Sequence, residues 1–277
     1  MKKLPSLLLA ALFAAPFAHA QAPAAPAAPA KPSTSPATTA TPATPAATPF
    51  PLPPQPPDVA APKMDSRTGQ PQAGFIAAHE RFLTVAKEGK AQVVFLGDSI
   101  TAGWGGAGKE VWAKAFGQWT PANFGIGGDR TQHVLWRIEK GELEGIKPKA
   151  AVIMIGTNNT GADSPETIAK GVTKIVETVR TKLPATKILL LAVFPRGEKA
   201  STPEKPNGGR DKIKKVNEII AKLDDKMNVF FLDIGEKFLT PDGSLTKEIM
   251  PDFLHLSPAG YQIWADAITP KLAELTK

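Results

Sequence analysis

Gln92-Val93-Val94-Phe95-Leu96-Gly97-Asp98-Ser99 begins polar, passes through an unbroken apolar run and closes on Gly-Asp-Ser. A short continuous apolar run ended by glycine reads as a strand buried on both faces. A serine directly after such a strand stands at the rim of a sheet, where ligands of α/β folds bind. Working outward, the same pattern recurs at Ala150 to Ile155, ended by Gly156, at Ile188 to Val193 and at Val229 to Leu232. A shorter candidate, Ala122-Asn123-Phe124, precedes the turn Gly125-Ile126-Gly127-Gly128. Helical patterns lie between the strands. Phe75 to Glu88 carries Phe75, Ala78, Phe82 and Val85 on one face, and Lys109 to Phe116, Thr131 to Glu139, Pro165 to Leu183 and Gly208 to Met227 follow. Ser257-Pro258 supplies an N-cap and first-turn proline for a last helix running to about Leu275. Apolar strands alternating with helices predict an α/β fold whose parallel sheet is covered on both faces.

The N-terminal part reads differently. Lys2 and Lys3 precede an apolar stretch from Leu7 to Phe17, closed by Ala18-His19-Ala20. This is the pattern of a secretory signal over residues 1–20, and it predicts an exported protein, periplasmic or secreted. The stretch contains Pro16 and is short for a span, and no later segment is apolar enough, so no integral membrane span is expected after signal removal. Residues 21–69 are rich in proline and alanine, with half of the chain's 28 prolines lying between residues 21 and 63, and read as a disordered linker. Residues 70–277 are then one catalytic domain. The formal charge of +7 includes the two signal lysines, and the other basic residues are scattered without interleaved aromatics, which excludes nucleic acid as a partner. The chain has no cysteine, so disulfides and thiolate metal sites are excluded.

The chemistry starts from Ser99, a poor nucleophile until a base takes its proton. His255 lies in a loop just before a helix at the active edge, whereas His79 and His133 fall on helices and read as surface or satisfied core residues. Asp252, three residues earlier, is placed to accept the imidazole Nδ1–H, although the spacing fits a turn aspartate equally well. Donors for a developing oxyanion are the backbone N–H of Ser99, the backbone N–H of Gly128 and the side-chain amide of Asn158. Trp104, Leu254 and Arg196 are the candidate substrate-binding residues. Trp104 sits in Gly103-Trp104-Gly105-Gly106-Ala107-Gly108, which fits G-x-G-x-x-G and, with Lys109-Glu110, nearly fits a phosphate loop. The glycines begin several residues after the strand, and Glu110 stands where a hydroxyl should meet Mg²⁺, so a flexible loop lining the acyl pocket is the better reading. Arg196 emerges at the same edge, where a solvated loop arginine is the plainer reading. Asn158-Asn159-Thr160 matches a glycosylation acceptor by coincidence.

Four segments, Phe95 to Ser99, Asn123 to Asp129, Gly156 to Asn159 and Asp252 to Ser257, resemble the signature blocks of the SGNH (GDSL-type) hydrolases, in that family's order. His133-Val134-Leu135-Trp136-Arg137, Gly141-Glu142-Leu143-Glu144 and Pro195-Arg196-Gly197 are similar to the catalytic subunits of the platelet-activating factor acetylhydrolase Ib type. The resemblance implies a flavodoxin-like three-layer α/β/α sandwich with a five-stranded parallel sheet and no metal or organic cofactor. It implies Ser99 as nucleophile, His255 as base and acid, Asp252 as its orienter, and Ser99, Gly128 and Asn158 as the oxyanion hole. Short acyl chains such as acetyl are implied as substrate, and a homodimer is left open. The export signal and long linker shift the expected substrate from phospholipid toward acetylated glycans. A lysophospholipase or thioesterase of the same fold, and a non-catalytic glycan-binding module, are the competing expectations.

Overall fold

The computed structural model describes residues 50–203 and 207–277. The predicted signal, the linker up to residue 49, and His19 lie outside the described residues. The elements are α1 (Ala73–Glu88), β1 (Val93–Gly97), α2 (Ser99–Ala102), α3 (Lys109–Phe116), β2 (Ala122–Gly125), α4 (Thr131–Arg137), β3 (Ala150–Met154), α5 (Pro165–Lys182), β4 (Lys187–Leu191), α6 (Gly208–Ile220), β5 (Val229–Leu232) and α7 (Pro258–Leu275). All five strands pair in parallel, in the order β2-β1-β3-β4-β5. β1 and β3 are wholly buried, which is why the sequence shows them as continuous apolar runs without alternation.

Alternate strand residues feed two cores. Val94, Leu96, Ile153 and Leu190 pack with α4, α5 and α6 on one face. Val93, Phe95, Val152 and Leu189 pack with Phe116 of α3 and with Tyr261, Trp264 and Ile268 of α7 on the other. The result is the expected three-layer sandwich. The chain crosses from one side of β1 to the other between β2 and β3, so the crevice beyond β1 and β3 is the switch point where such folds bind ligands. Helix α6 is shorter than its pattern: it ends at Ile220 rather than Met227. Asp225 Oδ1 there accepts the N–H groups of Met227, Asn228 and Val229, turning the chain into β5.

The linker expectation needs correcting over residues 50–69. These residues pack on the domain as a strap instead of standing free of it. Thr131 Oγ1 donates to the Pro57 carbonyl at 2.8 Å, Gln132 Nε2 to that of Gln55 at 3.0 Å, and the Ala61 N–H to that of Gln132 at 3.2 Å. Asp58 pairs with Lys170 of α5 at 2.7 Å. Proline removes backbone donors, and what holds this segment is two of its carbonyls, the Ala61 N–H and the Asp58 carboxylate, none of which leaves an apolar periodicity in the sequence.

Candidate active site

Ser99 opens α2 immediately beyond β1. The Asp98 carboxylate caps that turn by accepting the Ile100 N–H at 2.9 Å, which leaves the Ser99 N–H for another acceptor. Asp98 is wholly buried, and burial pushes its carboxyl up to about 7, with Asp129 adding to the rise and the Ile100 N–H opposing it.

The candidate base arrives from the far end of the chain. His255 Nε2 lies 2.9 Å from Ser99 Oγ, and His255 Nδ1 lies 2.6 Å from Asp252 Oδ2. Asp252 Oδ1 also accepts the backbone N–H groups of Leu254 and His255, at 3.1 and 2.7 Å, so one carboxylate holds both the ring and the turn that carries it. Burial raises the Asp252 carboxyl, but these hydrogen bonds outweigh it and hold the group below its ordinary value, ionised as the role requires. Closing the turn puts Phe253 at φ 58°, an unfavourable conformation for a side chain with a Cβ. The Phe253 carbonyl accepts the Gly197 N–H at 2.8 Å. The Asp252 and His255 side chains are 55% and 46% exposed, so the site is open to a bulky substrate.

The three oxyanion candidates converge on the same rim. Gly128 has φ 71°, which glycine adopts at no steric cost, and among the described residues no acceptor takes its N–H. A Cβ built on neighbouring Gly127 would lie 4.0 Å from the Ser99 Cβ, which fixes how close this turn comes to the nucleophile. Asn158 Nδ2 donates to the Asp129 carbonyl at 2.9 Å, tying the β3 loop to the Gly128 turn while a second amide hydrogen remains. Among the described residues no group of three His, Asp or Glu side chains is placed to hold a metal.

The substrate-binding candidates fare differently. Leu254 lies in the turn between Asp252 and His255, half-buried, and packs against the core on the α7 side of the sheet. Trp104 is 1% exposed, surrounded by Phe95, Trp112, Phe116, Tyr261 and Trp264, and is a core residue, not a pocket wall. The surrounding glycines admit Tyr261 of α7 at close range, which is why a glycine-rich run stands there without cradling a phosphate. Arg196 is half-buried and engaged within the fold. Its guanidinium donates to the Thr157 carbonyl at 3.0 Å and reaches Oγ1 of Thr157 and Thr160 at 3.2 and 3.3 Å, bracing the turn that presents Asn158.

Beneath the Gly128 turn lies a charged cluster that the sequence reading left without a role. Arg137, wholly buried, donates to Asp129 Oδ2 and to the Phe124 carbonyl, both at 3.0 Å, and to Glu142. Burial pushes Asp129 up to about 6, against the pull of Arg137 and Lys63. The strap adds Lys63, whose ammonium donates to the Gly127 carbonyl and lies 3.9 Å from Asp129 Oδ1. His133 is a satisfied core residue as expected: burial drives it down to about 3, and it stays neutral, accepting the Arg130 N–H at 3.1 Å. An arginine between Leu135 and Ile138, with a glutamate five residues on, was the available signal for the cluster. Nothing in the proline-rich stretch marked Lys63.

Comparison with known proteins gives consistent results. The model of the GDSL-like Lipase/Acylhydrolase family matches residues 95–263. Over 188 residues, the chain is 41% identical to platelet-activating factor acetylhydrolase IB subunit alpha2 of Rattus norvegicus and 39% identical to subunit alpha1 of Homo sapiens. Each alignment covers 68% of this chain and 78% of the relative. Among solved structures, a GDSL-like lipase from Bacteroides thetaiotaomicron superposes with a TM-score of 0.57 at 22% identity, over 72% of this chain and 98% of that one. A carbohydrate acetylesterase from Sinorhizobium meliloti superposes with a TM-score of 0.51 at 24% identity, over 67% and 100%.

Proposed function

The chain belongs to the GDSL-like Lipase/Acylhydrolase family and is a carboxylic ester hydrolase, and from that premise we propose an exported serine esterase that removes short acyl groups, acetyl above all, from glycans. Ser99 Oγ attacks the ester carbonyl while His255 Nε2 takes its proton. Asp252 accepts the Nδ1–H, which selects the tautomer with a free Nε2 and stabilises the imidazolium that forms. The N–H groups of Ser99 and Gly128 and the Asn158 amide receive the negative charge on the former carbonyl oxygen. His255 returns its proton to the leaving alcohol, and the acyl group remains on Ser99. Water, deprotonated by His255, attacks the acyl-enzyme, and the acid leaves as Ser99 regains its proton.

The observation that carries this reading is the unbroken line of hydrogen bonds from Ser99 Oγ through the His255 ring to Asp252. An acetyl group is supported by relatives named for acetyl hydrolysis, and a glycan alcohol by the open rim and the fold shared with a carbohydrate acetylesterase. Export rests on the N-terminal pattern of residues 1–20. Ser99→Ala is expected to lower kcat on p-nitrophenyl acetate by more than about 10³-fold with an unchanged melting temperature. Wild-type p-nitrophenyl acetate, octanoate and palmitate rates should fall in that order. Wild-type turnover by the variant overturns the serine mechanism, and preference for palmitate overturns the short acyl chain.

A further inference from the structure

Beside Gly128, the strap and the start of α4 line a cavity of about 250 Å³. Its walls carry two cations, Lys63 and Arg130, and three neutral polar side chains, Gln55, Gln72 and His133, with no carboxylate among them. The neutral groups are engaged in holding the strap: Gln55 Nε2 donates to the Pro62 carbonyl at 2.8 Å, Gln72 Nε2 to that of Met64 at 3.3 Å, and His133 Nε2 lies 3.4 Å from Gln55 Oε1. The cations are therefore what the cavity offers a ligand.

Their charges are unequally matched. Glu142 and Asp129 answer Arg137, and Lys63 shares Asp129 at 3.9 Å. No carboxylate of the described residues pairs with the Arg130 guanidinium, which is half-buried at the cavity wall. Burial lowers the Lys63 ammonium, Asp129 opposes this, and the Arg130 charge lowers it further, so the two cations act on one another across the space. A monoanion placed between them would relieve that repulsion and satisfy the planar fork of Arg130, which pairs with a carboxylate through two parallel hydrogen bonds.

We propose that this cavity is a substrate subsite that recognises a carboxylate on the alcohol half of the ester, so that the preferred substrate is an acylated acidic sugar. The inference rests on the serine esterase reading above: an acetyl group is too small to carry a second charged group, so the carboxylate belongs to the leaving alcohol. The cavity shares Gly128 with the oxyanion site: Lys63 Nζ lies 2.8 Å from where a Cβ on Gly128 would stand, and the Ser99 Cβ 4.0 Å from one on Gly127, so the cations adjoin the reacting ester.

The test compares acetate release from O-acetylated methyl glucuronoside and from its neutral counterpart, O-acetylated methyl glucoside. The full chain should favour the acid in kcat/KM by about tenfold, mainly through KM, which corresponds to about 1.4 kcal/mol. Raising the salt to about 0.5 M should shrink the preference. In Arg130→Gln the acid-to-neutral ratio should fall to about one, and Arg130→Lys should restore part of it; because the readout is a ratio, an overall loss of activity does not imitate the effect. A ratio of one or less in the wild type, an undiminished ratio in Arg130→Gln, or no acetate from either sugar while p-nitrophenyl acetate is turned over would overturn the subsite. Inactivity on p-nitrophenyl acetate itself would overturn the esterase reading and the subsite with it.

Discussion

Asp98 is a carboxyl with no exposure to water, one residue before the nucleophile. Its proton is held in the folded state up to about 7, well above the ordinary aspartate value of 3.8. Between those limits the unfolded chain has released a proton that the folded chain keeps. The stabilising contribution is therefore full below about pH 4 and is lost as pH rises through about 7. Asparagine can cap the same turn without a charge to bury. In urea denaturation, wild type should lose stability relative to Asp98→Asn as pH is raised from about 5 to about 8, a comparison in which the opposite slope from neutral His133 cancels. A difference between the two that does not change with pH would show that Asp98 is ionised throughout. At this scale the sequence was most informative about residues that do chemistry. Ser99, His255 and Asp252 lie in hydrogen-bonding series, although spacing alone left Asp252 equally a turn residue and it was the likeness of the four blocks to a family that singled the three out. Trp104 was misread, because a tryptophan beside glycines looks the same whether it lines a pocket or fills a core.

The elements explain that error. Helix α7 lays Tyr261 against the loop after α2, and the Tyr261 hydroxyl donates to the Ile100 carbonyl at 2.6 Å. A Cβ built on Gly103 would lie 2.0 Å from that hydroxyl oxygen. Gly103→Ala must displace α7 or the turn that carries Ser99. We expect a cost of about 1–3 kcal/mol, seen as a melting temperature lower by roughly 2–12 °C. A melting temperature equal to wild type would show that the contact yields freely. Strands and long helices were legible because burial on both faces, and amphipathic stripes such as that of α5, leave periodic marks. The end of α6 was not, since the lysines and aspartates up to Met227 are compatible with helix until Asp225 takes three backbone donors for itself.

For the whole molecule, the strap redraws the boundary of the domain. Residues 50–72 lie outside the matched family region yet hold α4 and α5 through Pro57, Gln55 and Asp58 and bring Lys63 to the Gly128 turn. No periodicity marks such a segment, because its bonds are made by scattered backbone groups, the Asp58 carboxylate and the Lys63 ammonium. A chain beginning at residue 50 should melt like the full protein. One beginning at residue 73 should melt roughly 5 °C or more lower and lose esterase activity, as followed by thermal denaturation and p-nitrophenyl acetate hydrolysis. Equal melting of the two would return the strap to the status of a spacer. The pairing of Ser99 with His255 joins residues separated by 156 positions, the nucleophile after the first strand and its base just before the last helix. On the proposed mechanism, a growing polypeptide therefore emerges from the ribosome with its serine unarmed and stays harmless to every ester it meets until almost the last of it has been synthesised.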